Sequence, residues 1–143
     1  HRHSATLRAY LRKKANIGAW KMHIIRRFPD RAVRDSHTPQ VIKVQMALAG
    51  LLLAVAAAAL VGLTIGWTAA AQWALVGAAA LAVAFGATTL PFVRKAWGKD
   101  RAVALAAPGL LFGRAVALGW GTLRGILASS PPMPARPPGP EAE

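Results

Sequence analysis

Val44–Val93 reads VQMALAGLLLAVAAAALVGLTIGWTAAAQWALVGAAALAVAFGATTLPFV, fifty residues without one Asp, Glu, Lys or Arg. A helix of about 20 apolar residues crosses a bilayer core ~30 Å thick, so fifty are too many for one crossing and suit two. Gly66-Trp67-Thr68 through Gln72-Trp73 supplies the break, a polar dip bracketed by two tryptophans, the residue type enriched where membrane meets water. The stretch predicts a transmembrane helical hairpin over 41–93, with spans at about 41–66 and 69–93. A helix that is apolar all round must be buried in protein or lipid. Too little other chain is present to cover two of them, so lipid is the answer.

Charge crowds against both ends of this stretch. Eleven cations precede it (Arg2, Arg8, Arg12, Lys13, Lys14, Lys21, Arg26, Arg27, Arg31, Arg34 and Lys43) against Asp30 and Asp35. Arg94, Lys95, Lys99 and Arg101 follow it against Asp100, in a basic loop over 94–101. The turn between the spans has none. The positive-inside rule makes both basic segments cytoplasmic and turns Trp67–Trp73 outward. Cations beside a bilayer are drawn to anionic lipid at about 1 kcal/mol each, and a bilayer with anionic lipids is the expected partner. Nucleic acid is the rival for such charge. It would call for a compact basic fold or a groove-reading helix and strongly salt-dependent binding by residues 1–40, and it is not expected. Cysteine is absent, which excludes disulfides and thiolate metal sites.

Upstream, residues 1–28 read as a basic amphipathic helix. Leu7, Leu11, Ala15, Gly18, Met22 and Ile25 recur at spacings of three and four, and Tyr10, Ile17, Ile24 and Phe28 widen that face. Ser4 is a candidate cap, and Pro29 ends the helix because the residue before proline avoids the α region. Such a helix lies comfortably in the interface plane with its apolar face among the headgroups; packing on another domain is the alternative. Gly18 costs about 1 kcal/mol against alanine inside a helix, which points to close approach of lipid, ligand or another backbone. Trp20 fits an interfacial anchor. Residues 29–40 form a polar, turn-rich loop, with Thr38-Pro39 suited to cap and open the first span.

Downstream, Gly77, Ala78, Ala79, Ala80, Ala84 and Gly86 give the second span a small-residue face for close helix contact, and Pro91 is expected to bend or finish it. Residues 102–128 form a third apolar segment, interrupted by Pro108-Gly109, Arg114 and Arg124, with Gly113, Gly119, Gly121 and Gly125 loosening it further. An arginine at mid-bilayer costs about 2.5–3.5 kcal/mol on insertion scales. The segment is therefore either a third crossing with Arg114 facing protein, to which the reading leans, or a broken pair of interfacial helices. Residues 129–143, with six prolines after Ser130, read as a disordered tail. The fold class is an all-α membrane protein: basic amphipathic interfacial helix, transmembrane hairpin, and a third, broken apolar helix.

Chemistry-bearing patterns are sparse. His1, His3, His23 and His37 are scattered, and the pair His1 and His3 lacks a third ligand for a metal. Asp30 and Asp35 sit among arginines, which they neutralise. No catalytic residue and no resident metal or other cofactor is expected in this chain. The chain opens on His1 without a secretory pattern, and it is expected to be the tail of a longer polypeptide.

Leu7-Arg8-Ala9-Tyr10-Leu11-Arg12-Lys13-Lys14, then Ile17-Gly18-Ala19-Trp20-Lys21, the Arg27-Phe28-Pro29 break, Asp35-Ser36-His37-Thr38-Pro39-Gln40 and the hairpin together resemble the C-terminal membrane region of bacterial family 2 glycosyltransferases. Phe92-Val93-Arg94-Lys95 and the Pro108…Arg114…Gly119…Gly121…Gly125 pattern look similar to their last membrane segment. The resemblance covers the chain to about Leu127. It implies an upstream α/β catalytic domain of the GT-A type that binds a nucleotide-sugar with Mg or Mn and acts on a lipid-linked or membrane-near acceptor. It also implies residence in the bacterial inner membrane with the N-terminal segment cytoplasmic. Related processive synthases present Gln-x-x-Arg-Trp beneath the active site; Asn16-Ile17-Gly18-Ala19-Trp20 keeps the Trp and lacks both Gln and Arg, which favours transfer of one or a few sugars over polymer synthesis. Acceptor or interface contacts are then expected from Arg12, Lys13, Lys14, Trp20, Lys21, Asp35, Ser36, His37, Thr38 and Gln40. The alternative is a small non-enzymatic membrane scaffold or accessory protein whose basic helix binds anionic lipid or a partner.

Overall fold

The computed structural model describes residues 6–29 and 39–128. The chain is an all-α membrane protein, as the apolar stretches imply. Four helices follow in order: α1 (Leu7–Arg27), α2 (Gln40–Thr64), α3 (Thr68–Trp97) and α4 (Arg101–Leu127), with no strand among the described residues. The last three are long and apolar enough to cross a membrane by length and composition.

The hairpin closes where its sequence breaks. Trp67 N donates to Gly62 O at 2.8 Å, and Gly66 takes φ +80°, the left-handed conformation that a residue without Cβ adopts freely. Trp67 and Trp73 stand out at this end, 68% and 76% exposed. Below them Gly62 meets Ala71, and Gly77 lies against Val55. Small residues at these crossings let the backbones approach, the main source of helix cohesion where lipid offers apolar groups no drive to associate. At the open end Gln45, only 4% exposed, donates from Nε2 to Thr88 Oγ1 at 3.1 Å, and that hydroxyl donates to Phe85 O at 2.6 Å. Gln45 is thus a buried polar pin between α2 and α3.

Several boundaries differ from the pattern-based ones. Helix α3 passes through Pro91 and runs to Trp97, so the basic loop of 94–101 shrinks to a turn over 98–100. Asp100 opens α4: its Oδ1 accepts from Ala102 N at 2.8 Å and Val103 N at 3.2 Å. A carboxylate there also suits the positive end of the helix dipole. Helix α4 is continuous through Pro108, where an interruption was expected. Proline removes one backbone donor, and a helix packed among neighbours tolerates the loss. Thr6, rather than Ser4, caps α1, its Oγ1 accepting from Ala9 N at 3.2 Å. Pro39 occupies the cap position of α2 instead of its first turn. Ser4, Thr38 and the Pro-rich tail lie outside the described residues.

Helix α4 joins the hairpin at a small cluster of Ala49, Phe85 and Ala115, flanked by Leu48, Leu111, Phe112 and Val116. Phe85 and Phe112 meet edge to face, centroids 5.3 Å apart, an arrangement worth ~0.5–1.5 kcal/mol beyond area burial.

Candidate membrane-surface site

Helix α1 packs along α4 in parallel. Gly113 faces Leu11 Cδ2, Gly121 faces Ala15, Gly18 faces Leu118 and Thr122, and Gly125 faces Ala19 and Met22. Residue numbers rise together on both helices, which fixes the relative direction. The approach is as close as backbones allow. A methyl group on Gly121 would lie 2.6 Å from the Ala15 carbonyl carbon, and one on Gly125 2.7 Å from the Ala19 carbonyl oxygen. The glycines expected to loosen the third apolar segment are instead its packing face, with Gly119 the exception in open space. Of the partners open to Gly18 (lipid, ligand or backbone), the structure has a backbone there. The legible signal was Gly121-Thr122-Leu123-Arg124-Gly125, a Gly-x-x-x-Gly pair, matched by Ala15 and Ala19 at the same spacing on α1.

This contact divides the apolar face read for α1. Leu11, Ala15, Gly18, Met22 and Ile25, one part of the face expected among the headgroups, are covered by α4 along much of their length. What α1 presents outward is the rest of that face, Ile17, Ile24 and Phe28, together with Trp20, between 40% and 67% exposed. Ile17, Trp20 and Ile24 share a shallow groove with Arg12, Lys13 and Lys21. Trp20 leans edge-on against His23, centroids 6.1 Å apart. Large apolar tips between cation stems make a surface that suits a headgroup layer, where the stems lie along apolar matter and the charges reach phosphate.

Of the residues singled out from the sequence, Arg12, Lys13, Trp20 and Lys21 are gathered on this stripe. Lys14 stands apart: its Nζ lies 5.3 Å from the centroid of the Tyr10 ring. Gln40 is exposed at the start of α2. Asp35, Ser36, His37 and Thr38 lie outside the described residues. The sequence reading passed over Arg26. Its Nη1 donates to Ala128 O at 2.9 Å and its Nη2 to Ile126 O, so one guanidinium binds the C-terminal carbonyls of α4. A cation at that negative helix end gains from both hydrogen bonding and the dipole. Arg26→Gln is expected to cost about 1 kcal/mol locally, so amide exchange over the last turn of α4 should quicken about fivefold. Unchanged exchange would show that the tie carries no weight.

Among the described residues Asp100 is the sole carboxylate, and it is occupied as the α4 cap. The arrangement offers cations and apolar surface, a chemistry suited to anions and lipid. Compared with protein-family models, with curated proteins and with solved structures, the chain matches none of them.

Proposed function

We propose that this chain is a membrane-surface platform: the α2–α3 hairpin crosses the bilayer, and the α1–α4 pair lies in the headgroup layer on the basic, cytoplasmic side. The observation that carries this reading is the parallel α1–α4 pairing. Arg26 ties the end of α1 to the end of α4. The sequence between α1 and α2 holds four charges, Asp30, Arg31, Arg34 and Asp35, a composition that favours a start of α2 on the basic side. The start of α4 is held to the end of α3 by the short turn after Trp97, on the same side of the hairpin. In this reading both ends of α4 share one side, and α4 does not cross.

Within that reading, the platform is the C-terminal membrane region of a bacterial family 2 glycosyltransferase of the inner membrane. Arg12, Lys13, Trp20 and Lys21 meet a lipid-linked or membrane-near acceptor while a catalytic domain supplies nucleotide-sugar chemistry. The support is the order of motifs along the chain together with a cation-flanked tryptophan stripe turned away from the bundle. The test uses the polypeptide with whatever its reading frame encodes before His1, assayed for sugar transfer from nucleotide-sugars to membrane lipid. Trp20→Ala is expected to lower transfer about tenfold with insertion intact, and Gly119→Ala to leave it unchanged. Full transfer by Trp20→Ala, or an upstream frame without an acidic metal motif, would favour the scaffold reading.

Contact with the surface has its own measurement. In a variant keeping Trp20 as its one tryptophan, lipids brominated near the headgroup should quench its fluorescence, more strongly as the anionic fraction rises. Arg12→Gln with Lys13→Gln removes about 2 kcal/mol of attraction, and the dependence on anionic lipid should fade. Quenching that ignores both changes would remove the stripe from the membrane.

A further inference from the structure

Arg114 stands midway along α4 and is half-buried. It lines a cleft of about 500 Å³ whose other walls include Leu7 and Tyr10 of α1, Phe92 of α3, and Ala107 and Leu110 of α4. The walls are apolar save for the Tyr10 phenol, the Thr6 hydroxyl and the guanidinium itself. A second cation is close by, since Lys14 sits over the face of the same Tyr10 ring. Nothing described neutralises Arg114. It has no hydrogen bond or ion pair among the described residues, and Asp100, the one carboxylate there, serves the start of α4. A guanidinium between apolar walls at a membrane calls for a counter-charge, and five planar donors match a phosphate best.

We propose that this cleft is a binding site for an anionic phospholipid, its phosphate held by Arg114 and its acyl chain laid against Phe92, Ala107 and Leu110. The assignment rests on the platform reading, because only an α4 lying in the surface layer brings Arg114 to phosphate level. Charge complementarity decides the occupant. The surroundings are cationic, the net formal charge of the chain is +13, and the anion delivered with an apolar tail by every bacterial membrane is a phospholipid phosphate. Tyr10 adds a hydroxyl donor, and Leu7, Phe92 and Leu110 favour an amphiphile over a free anion.

The experiment is native mass spectrometry of the purified chain titrated with phosphatidylglycerol in a phosphatidylcholine background. The wild-type chain is expected to retain one phosphatidylglycerol. Arg114→Met should weaken retention about tenfold, the loss expected for one charge-assisted hydrogen bond. Arg114→Lys should fall between the two, and Arg124→Met, exposed on the same helix and outside the cleft, should match the wild type. A Leu11→Cys/Gly113→Cys cross-link reports that α1 and α4 remain docked in each variant. Leu110→Trp, which fills the cleft and keeps Arg114, should also lose the lipid. Equal retention by docked Arg114→Met overturns the proposal, as does displacement of the lipid by excess inorganic phosphate, which would make this a free-anion site. Side-specific labelling at Ala128→Cys separates the two readings. External labelling defeats the platform; Arg114-independent retention with internal labelling defeats this site alone.

Discussion

Gly121→Leu should detach α1 from α4. The space beside Gly121 is filled by the Ala15 backbone, whose carbonyl carbon would sit 2.6 Å and Cα 2.9 Å from even a methyl group. Backbone atoms of a packed helix cannot step aside as a flexible side chain does, so the helices must separate along their whole contact. Overpacking typically costs 1–3 kcal/mol, and more where the obstacle is backbone. The Leu11→Cys/Gly113→Cys cross-link should slow by about 100-fold or more, and α1 should become open to protease. Gly18→Leu is expected to act alike, since Leu118 O and Thr122 N crowd that site. Gly50→Ala, Gly86→Ala and Gly119→Ala point into open space and serve as controls; each removes a helix-interior glycine and should be neutral or slightly stabilising. Normal cross-linking in Gly121→Leu would mean that α1 is not held on this face.

A cysteine at Ala128 should be labelled from the same side as one at Gly98, and from the opposite side to one at Thr68. The effect is all or none. If α4 crossed upright, its partner α1 would have to travel with it, because the two run in parallel contact from Leu11 and Gly113 to Arg26 and Ala128. Helix α1 carries Arg8, Arg12, Lys13, Lys14, Lys21, Arg26 and Arg27. At about 2.5–3.5 kcal/mol for each cation carried to mid-bilayer, and less for those near the ends, the total is on the order of 10–20 kcal/mol. The apolar length of α4 competes poorly, since Arg114 sits in its middle and Arg124 in its last turn. Ala128 labelled from the Thr68 side would establish a third crossing and end the platform reading.

Sequence and structure divide this protein unevenly. The hairpin was legible because fifty uncharged residues leave few alternatives, and because Gly66 between Trp67 and Ile65 marks where the chain must turn. The third helix was legible as an apolar segment but not as a continuous one. Pro108 and five glycines lower the helix propensity of the segment taken alone, and only a packed neighbour restores it. The site was legible by residue type and not by face. Arg12, Lys13, Trp20 and Lys21 were visible as cations and an aromatic anchor, whereas Lys14 and Arg26, of the same types, turn to Tyr10 and to the end of α4.

The sequence by itself determined that the chain is helical and membrane-bound, where its hairpin lies, and which side is basic, because hydropathy and charge act through lipid and water and need no tertiary partner. Only the tertiary structure decided what the apolar stripe of α1 touches. An amphipathic helix with Ala15, Gly18 and Ala19 on one face can meet either acyl chains or a glycine-lined helix, and both satisfy the same pattern. Backbone-to-backbone contact with Gly121 and Gly125 settled that choice, turned Ile17, Trp20 and Ile24 outward, and placed Arg114 in a cleft that no periodicity reveals.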